Sequence, residues 1–223
     1  MHEPLARGRW LAALLAVLGW FGLLLQLYLS IRLALANGRT VVYGVVLYAG
    51  FFTVLTNILA ALAASLPLMA RRSAAGRFFA RPEAIGWVTV SIVFVGVAYY
   101  ALLRKVWSPQ GWQLLADVLM HYAVPVLFLL YSLIVLRGAA LRWSAPLRWS
   151  VYPVVYFAYV LMRGAVIGSY PYAFIDAATL GYAVTLRNAC LLWVAFMVLA
   201  YALLLIWRFA GARQSTRQNT ALR

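Results

Sequence analysis

Six apolar runs, at residues 10–35, 45–69, 84–103, 112–136, 149–167 and 188–209, constrain this chain more than any other feature. Crossing a hydrocarbon core of about 30 Å takes roughly 20 helical residues at 1.5 Å each, and every run is about that long or longer. Lipid offers no water to a backbone N–H or C=O, so a crossing segment is a helix or one strand of a closed barrel. Leu, Ala and Val follow one another here without the period-two alternation of a barrel strand, which leaves helices. The chain is 66% hydrophobic and 10% charged, whereas an ordinary soluble domain has about 25% charged residues. The expected fold is all-α, a polytopic membrane protein built as a six-transmembrane-helix bundle. The connections are too short to hold a second domain, so residues 1–223 are expected to form a single transmembrane domain.

The formal net charge of +15 raises the question of nucleic acid. Its distribution answers otherwise. Arg7 and Arg9 precede the first run, and Arg71, Arg72, Arg77 and Arg81 separate the second from the third. Arg137, Arg142 and Arg148 separate the fourth from the fifth, and Arg208, Arg213, Arg217 and Arg223 close the chain. All of these fall at one end of a six-helix bundle. Arg32, Arg39, Arg104, Lys105 and Arg187 mark the other end, and Arg163 lies within a run. The positive-inside rule then makes the N- and C-termini cytoplasmic. Basic loops there meet anionic lipid head groups, and no nucleic-acid partner is expected. Alanine- and arginine-rich usage, with Lys105 as the single lysine, suggests a GC-rich bacterial genome and hence a bacterial inner membrane. Trp10, Trp107, Trp112, Trp149 and Trp207 fall near run ends, where an indole ring prefers the lipid–water interface.

Arg7, Arg9, the first run and Ala34-Leu35-Ala36 have the order of a signal peptide. Cleaved signals use about 7 to 15 apolar residues, so this longer run is expected to stay as the first membrane helix. A single cysteine, Cys190, excludes an internal disulfide, and His121 is the one histidine apart from His2. Without a carboxylate or thiol cluster around it, no metal and no cofactor are expected.

His121 is the informative polar residue. It shares the fourth run with Asp117, four residues earlier and so on the same helix face. A protonatable pair at membrane depth is a functional-site hypothesis by default. In the second run, Thr53, Thr56 and Asn57 stand at i, i+3 and i+4 and make one helix face polar. If that run is one helix beginning near Gly44, Thr53 lies about 14 Å along it, and His121 lies at a similar depth in the fourth. The fifth run carries Tyr152, Tyr156, Tyr159 and Arg163 at spacings that again form one stripe. Arg163 is costly in lipid unless it points inward, snorkels or meets a carboxylate, for which Asp117 and Asp176 are the candidates. Thr56 and Asn57 equally suit simple helix-to-helix hydrogen bonding, and the tyrosines equally suit packing.

A threonine hydroxyl needs a positioned base to act as a nucleophile, and neutral imidazole is the usual one near pH 7. Thr53 and His121 supply such a pair, with Asp117 placed to hold the imidazole tautomer. Asn57 or Arg163 would then stabilise the oxyanion formed when an ester carbonyl is attacked.

The segment Phe52-Thr53-Val54-Leu55-Thr56-Asn57, the spacing of His121 to Pro125, and the six-run layout resemble the androgen-induced (FAR-17a/AIG-type) membrane protein family and its bacterial relatives. The resemblance covers roughly residues 10–209. It implies a multipass threonine hydrolase acting within the membrane on fatty acid esters of hydroxy fatty acids, with Thr53 and His121 in the two catalytic positions. Thr56-Asn57 and Asp117 depart from the animal pattern. The expected partner is a membrane lipid or amphiphilic ester substrate, with Tyr156 and Asp176 among the supporting or substrate-binding residues. Two alternatives remain: a small-molecule or proton-linked membrane transporter using Asp117, His121 and Arg163, and a membrane scaffold or assembly protein. The aromatic segment Ser169-Tyr170-Pro171-Tyr172-Ala173-Phe174-Ile175-Asp176 would cover a pocket mouth or anchor at the interface.

Overall fold

The computed structural model describes residues 8–221, with side chains described for residues 8–210. Arg7 and Arg223 lie outside the described residues, and the side chains of Arg213 and Arg217 lie outside the described side chains. Among the described residues ten α-helices follow one another: α1 Arg9–Ala36, α2 Val41–Tyr48, α3 Phe52–Met69, α4 Ala74–Phe79, α5 Pro82–Ala98, α6 Gly111–Val118, α7 Val124–Val135, α8 Ala145–Trp149, α9 Val151–Ile167 and α10 Ala177–Ala221. The third apolar run ends in a π-turn, Tyr99–Leu103, and a second π-turn, Leu119–Ala123, joins α6 to α7 in the fourth. Six helical segments among the described residues are long and apolar enough to cross a membrane. The chain is the expected all-α six-helix bundle.

Small residues let the helices approach, which is how bundles pack in lipid, where burying Leu against Leu brings little gain. α1 lies along α3, where a Cβ on Gly19 would stand 3.2 Å from that of Ala61. Ala60, Ala61, Ala63 and Ala64 are all buried on α3. α5 packs between α3 and α7, and α10 closes over α5. The arginine-rich loops gather at one end, where Arg137 Nε donates to the Ala210 carbonyl at 3.3 Å and Arg148 meets Glu83 at 2.9 Å. Trp149 and Trp207, expected at the lipid–water interface, are instead core: they are 4% and 0% exposed, and the Trp207 indole donates to Ser132 Oγ at 3.3 Å. Gly86 gives Trp149 its room, since a Cβ there would meet the ring at 2.9 Å. Trp10 and Trp112 are exposed as expected.

The second run departs most from expectation. It is not one helix over 45–69 but two, α2 and α3, broken across Ala49-Gly50-Phe51. α3 alone spans about 27 Å, a little less than the apolar layer, so its N-terminus sits at the layer's edge or within it. Irregular backbone is tolerated there only where protein satisfies it. The stripe on α9 does so. Arg163 donates to the Val46 carbonyl at 3.2 Å and the Ser169 carbonyl at 3.1 Å, Tyr156 to the Gly50 carbonyl at 3.0 Å, and Tyr159 to the Ala49 carbonyl at 3.4 Å. Of the three ways to accommodate it, Arg163 takes the inward one: it is buried, among the described residues neither Asp117 nor Asp176 pairs with it, and carbonyl dipoles solvate the guanidinium. The sixth helix begins earlier than expected, at Ala177, and kinks at Gly181 with φ 72° and ψ 157°.

Gly50 is the tight point of this arrangement, because a Cβ there would lie 2.8 Å from Arg163 Cζ. Gly50→Val is therefore expected to displace the guanidinium from its carbonyls. A loss of about 2 kcal/mol or more should follow, read as a lower midpoint in thermal unfolding of the detergent-purified protein.

Candidate functional site

The break places Thr53 in the first turn of α3, one residue after Phe52. The backbone N–H groups of a first helical turn have no intrahelical partner and carry the positive end of the helix dipole. The Thr53 N–H donates to Tyr172 Oη at 3.4 Å, and Thr53 Oγ1 lies 3.4 Å from the same oxygen. One turn on, Thr56 Oγ1 and Tyr152 Oη are 2.9 Å apart. Asn57 Nδ2 donates to the Thr53 carbonyl at 2.8 Å and the Met120 carbonyl at 3.2 Å. Asn57 thus ties α3 to the π-turn that carries His121. Thr53 is not nine residues into a continuous helix, on which its expected depth rested, but in the first turn of α3.

His121 belongs to a second cluster. Its Nδ1 lies 3.2 Å from Asp117 Oδ1 and 3.0 Å from the Asp117 carbonyl oxygen, while Tyr99 Oη donates to Asp117 Oδ2 at 2.7 Å. Both neighbours of Nδ1 are acceptors, which assigns it the ring proton and leaves Nε2 as the basic nitrogen. The Tyr99 ring stacks on the imidazole at 3.9 Å with an interplanar angle of 21°. Asp117 is buried and His121 is 15% exposed. Asp117 thus stands against His121 Nδ1 with both its carboxylate and its backbone carbonyl, the latter hydrogen-bonded to the ring. No hydrogen bond joins Thr53 to His121 among the described residues.

A cleft of about 350 Å³ opens between α5, α9 and α10, with Thr53 and Tyr156 on its wall and Tyr172, Phe174 and Ile175 at its end. Its walls are almost wholly apolar: Phe94, Val95, Phe157 and Leu192 line it alongside Tyr99. Val154, Leu186 and Cys190, also on its lining, are exposed on the bundle's flank. The cleft therefore opens sideways, toward lipid. Tyr99 is where the two clusters meet, since it lines the cleft and covers His121, which does not line it.

Of the expected site residues, Thr53 and Tyr156 reach the cleft; His121 and Asp117 stand behind Tyr99. Asn57 has both amide protons on carbonyls and Arg163 is engaged at the helix break, so neither is placed as the expected oxyanion donor. Asp176 is remote in role as well: its carboxylate caps α10, accepting from the Ala178 and Thr179 N–H groups and the Thr179 hydroxyl. Tyr99 and Tyr172 were not singled out from the sequence. Their signals were faint: a Tyr99-Tyr100 pair at the end of the third run, and one aromatic among several in a loop. No family model, curated protein or solved structure matches the chain.

Removing the Asp117 carboxylate leaves Tyr99 Oη without its acceptor, while His121 Nδ1 keeps the backbone carbonyl of residue 117. Asp117→Ala and Tyr99→Phe are each expected to cost about 1 to 3 kcal/mol. Chemical unfolding in mixed micelles measures both, and equal stability of Asp117→Ala and wild type would show the network to be idle.

Proposed function

We propose that the protein is an intramembrane hydrolase that cleaves an ester in a lipid or fatty-acid-ester-like amphiphile, with Thr53 as nucleophile and His121 as base. The observation that carries this reading is the place of Thr53: a hydroxyl on the wall of an apolar cleft open toward lipid. An acyl chain entering sideways finds apolar walls along its length and meets Thr53 at the cleft's polar end. Bulk water stays outside, which favours lipid esters over soluble ones. These are also the two residues to which the resemblance to the androgen-induced family gives catalytic roles.

In this mechanism Thr53 Oγ1 bonds to the ester carbonyl carbon while its proton passes to His121 Nε2. Collapse of the tetrahedral intermediate expels the alcohol, which takes that proton. Water then cleaves the acyl-threonine with the same imidazole as base. Asp117 fixes the imidazole tautomer and stabilises the imidazolium. Entry of substrate must move the Tyr99 ring, or a water must bridge the two groups, because catalytic hydrogen bonds in ligand-free enzymes are commonly long. The same reading puts both termini in the cytoplasm and the bundle in a bacterial inner membrane. The arginine-rich end then lies at anionic head groups and the cleft in the outer half.

A second reading, an amphiphile carrier or scaffold without turnover, is favoured by the missing Thr53–His121 hydrogen bond. Fluorophosphonate labelling of the detergent-purified protein separates the two. Labelling should fall on the order of 10²- to 10⁴-fold in His121→Ala and vanish in Thr53→Ala, both monodisperse. Equal labelling of all three proteins would favour the carrier.

A further inference from the structure

Asn57 has both amide protons on carbonyls, and the Arg163 guanidinium, its Nε unpaired, lies against Gly50 rather than Thr53. Among the described residues, the side chain hydrogen-bonded to the nucleophile is that of Tyr172. Tyr172 Oη is 3.4 Å from both the backbone N and Oγ1 of Thr53. We propose that Tyr172 is a further catalytic residue, its hydroxyl and the Thr53 backbone N–H together receiving the charge that develops on the ester carbonyl oxygen. This rests on the reading of Thr53 as nucleophile.

The attacked carbonyl carbon must come next to Oγ1, so its oxygen falls near the Thr53 N–H, the place that Tyr172 Oη now fills. Contacts of 3.4 Å are long for hydrogen bonds and cheap to exchange. Withdrawal of the hydroxyl by about one oxygen diameter, ~3 Å, leaves O–H and N–H on two sides of the incoming oxygen. The segment carrying Tyr172 lies between Gly168 and Gly181, with φ of +67° and +72°, values that L-residues rarely adopt. Its ring is oriented by neighbouring aromatics. Tyr172 stacks on Phe174 at 5.1 Å and 8° and meets Phe51 edge-on at 5.7 Å, while Asn188 Nδ2 holds the Phe174 carbonyl at 2.9 Å. Burial pushes the Tyr172 hydroxyl's pKa up, so it keeps its proton through the neutral range. It gives a hydrogen bond and no proton: in the step, the Oγ1–C bond forms, the C=O π pair moves to oxygen, and the Thr53 proton goes to His121.

Tyr172→Phe removes one oxygen and keeps the stack. Full-length wild type and variant are compared for hydrolysis of p-nitrophenyl decanoate. They are also compared for binding of dodecyl trifluoromethyl ketone, which forms a tetrahedral adduct, and of dodecyl methyl ketone, which does not. The variant should lose about 10²-fold in kcat with little change in KM. It should bind the trifluoromethyl ketone more weakly by a similar factor and the methyl ketone as wild type does, which also shows that it is folded. Unchanged kcat, or equal loss of affinity for both ketones, overturns the assignment. The Thr53→Ala protein separates the two claims. If wild type forms the adduct and Thr53→Ala does not, the nucleophile stands whatever Tyr172→Phe does. If wild type forms none, both claims fall.

Discussion

A helix broken at the edge of the apolar layer or within it leaves carbonyls that lipid cannot solvate, and the rest of this bundle is arranged to solvate them. The break at Ala49-Gly50-Phe51 frees acceptors at Val46, Ala49 and Gly50, and Tyr156, Tyr159 and Arg163 reach across from α9 to each. These are long side chains, and they hold the backbone of α9 away from α3, to which Tyr152 adds a fourth bridge at Thr56. Close backbone neighbours of α9 are α8 and α10 instead. The apolar cleft, between α5, α9 and α10, reaches Phe52 and Thr53 at the start of α3. The local fault thus sets one half of the candidate site, the helix N-terminus carrying Thr53, on the wall of the other, a lateral opening.

The bundle was legible in the sequence because hydropathy reports what lipid demands of side chains. Six runs predicted six spans, and the ends of the first, third, fourth and fifth lie within a few residues of the observed ones. The break was not legible, because hydropathy ignores backbone, and the residues across it are as apolar as their neighbours. Gly50 was the available signal, and its meaning depends on a guanidinium from a residue 113 positions later. Trp149 and Trp207 were misplaced for a related reason: indole at a run's end suits an interface, but Gly86 opposite makes a slot for a ring. Asp117 with His121 was legible because it is an i, i+4 pair on one helix. Tyr99 and Tyr172 were not, since what makes them matter is a partner 18 or 119 residues away.

The polar cluster around His121 shows how a bundle keeps an acid and an imidazole out of lipid. Two π-turns, Tyr99–Leu103 and Leu119–Ala123, supply its tyrosine and its histidine from neighbouring spans. A π-turn inserts a residue and rotates the following face, and such turns are frequently found at functional sites. Here they bring the Tyr99 ring flat against the imidazole and its hydroxyl onto the far oxygen of the carboxylate. Both carboxylate oxygens are then engaged within a few ångströms, a condition for burying an acid at modest cost.

The two buried charged residues among those described, Arg163 and Asp117, do not neutralise one another, and their separation has a chemical direction. Arg163 lies against Gly50, three residues before Thr53, and adds to the positive end of α3. Asp117 lies beyond Tyr99, against the imidazole. Proton transfer from Thr53 to His121 would create negative charge on the ester oxygen beside Thr53 and positive charge on the imidazole beside Asp117. In the proposed reaction, fixed positive charge would stand on the side that becomes negative, and fixed negative charge on the side that becomes positive. In surroundings that exclude water such a field is weakly screened and needs no reorganisation during reaction. An Arg163–Asp117 ion pair would have been the easier way to bury two charges, but it would have cancelled this field.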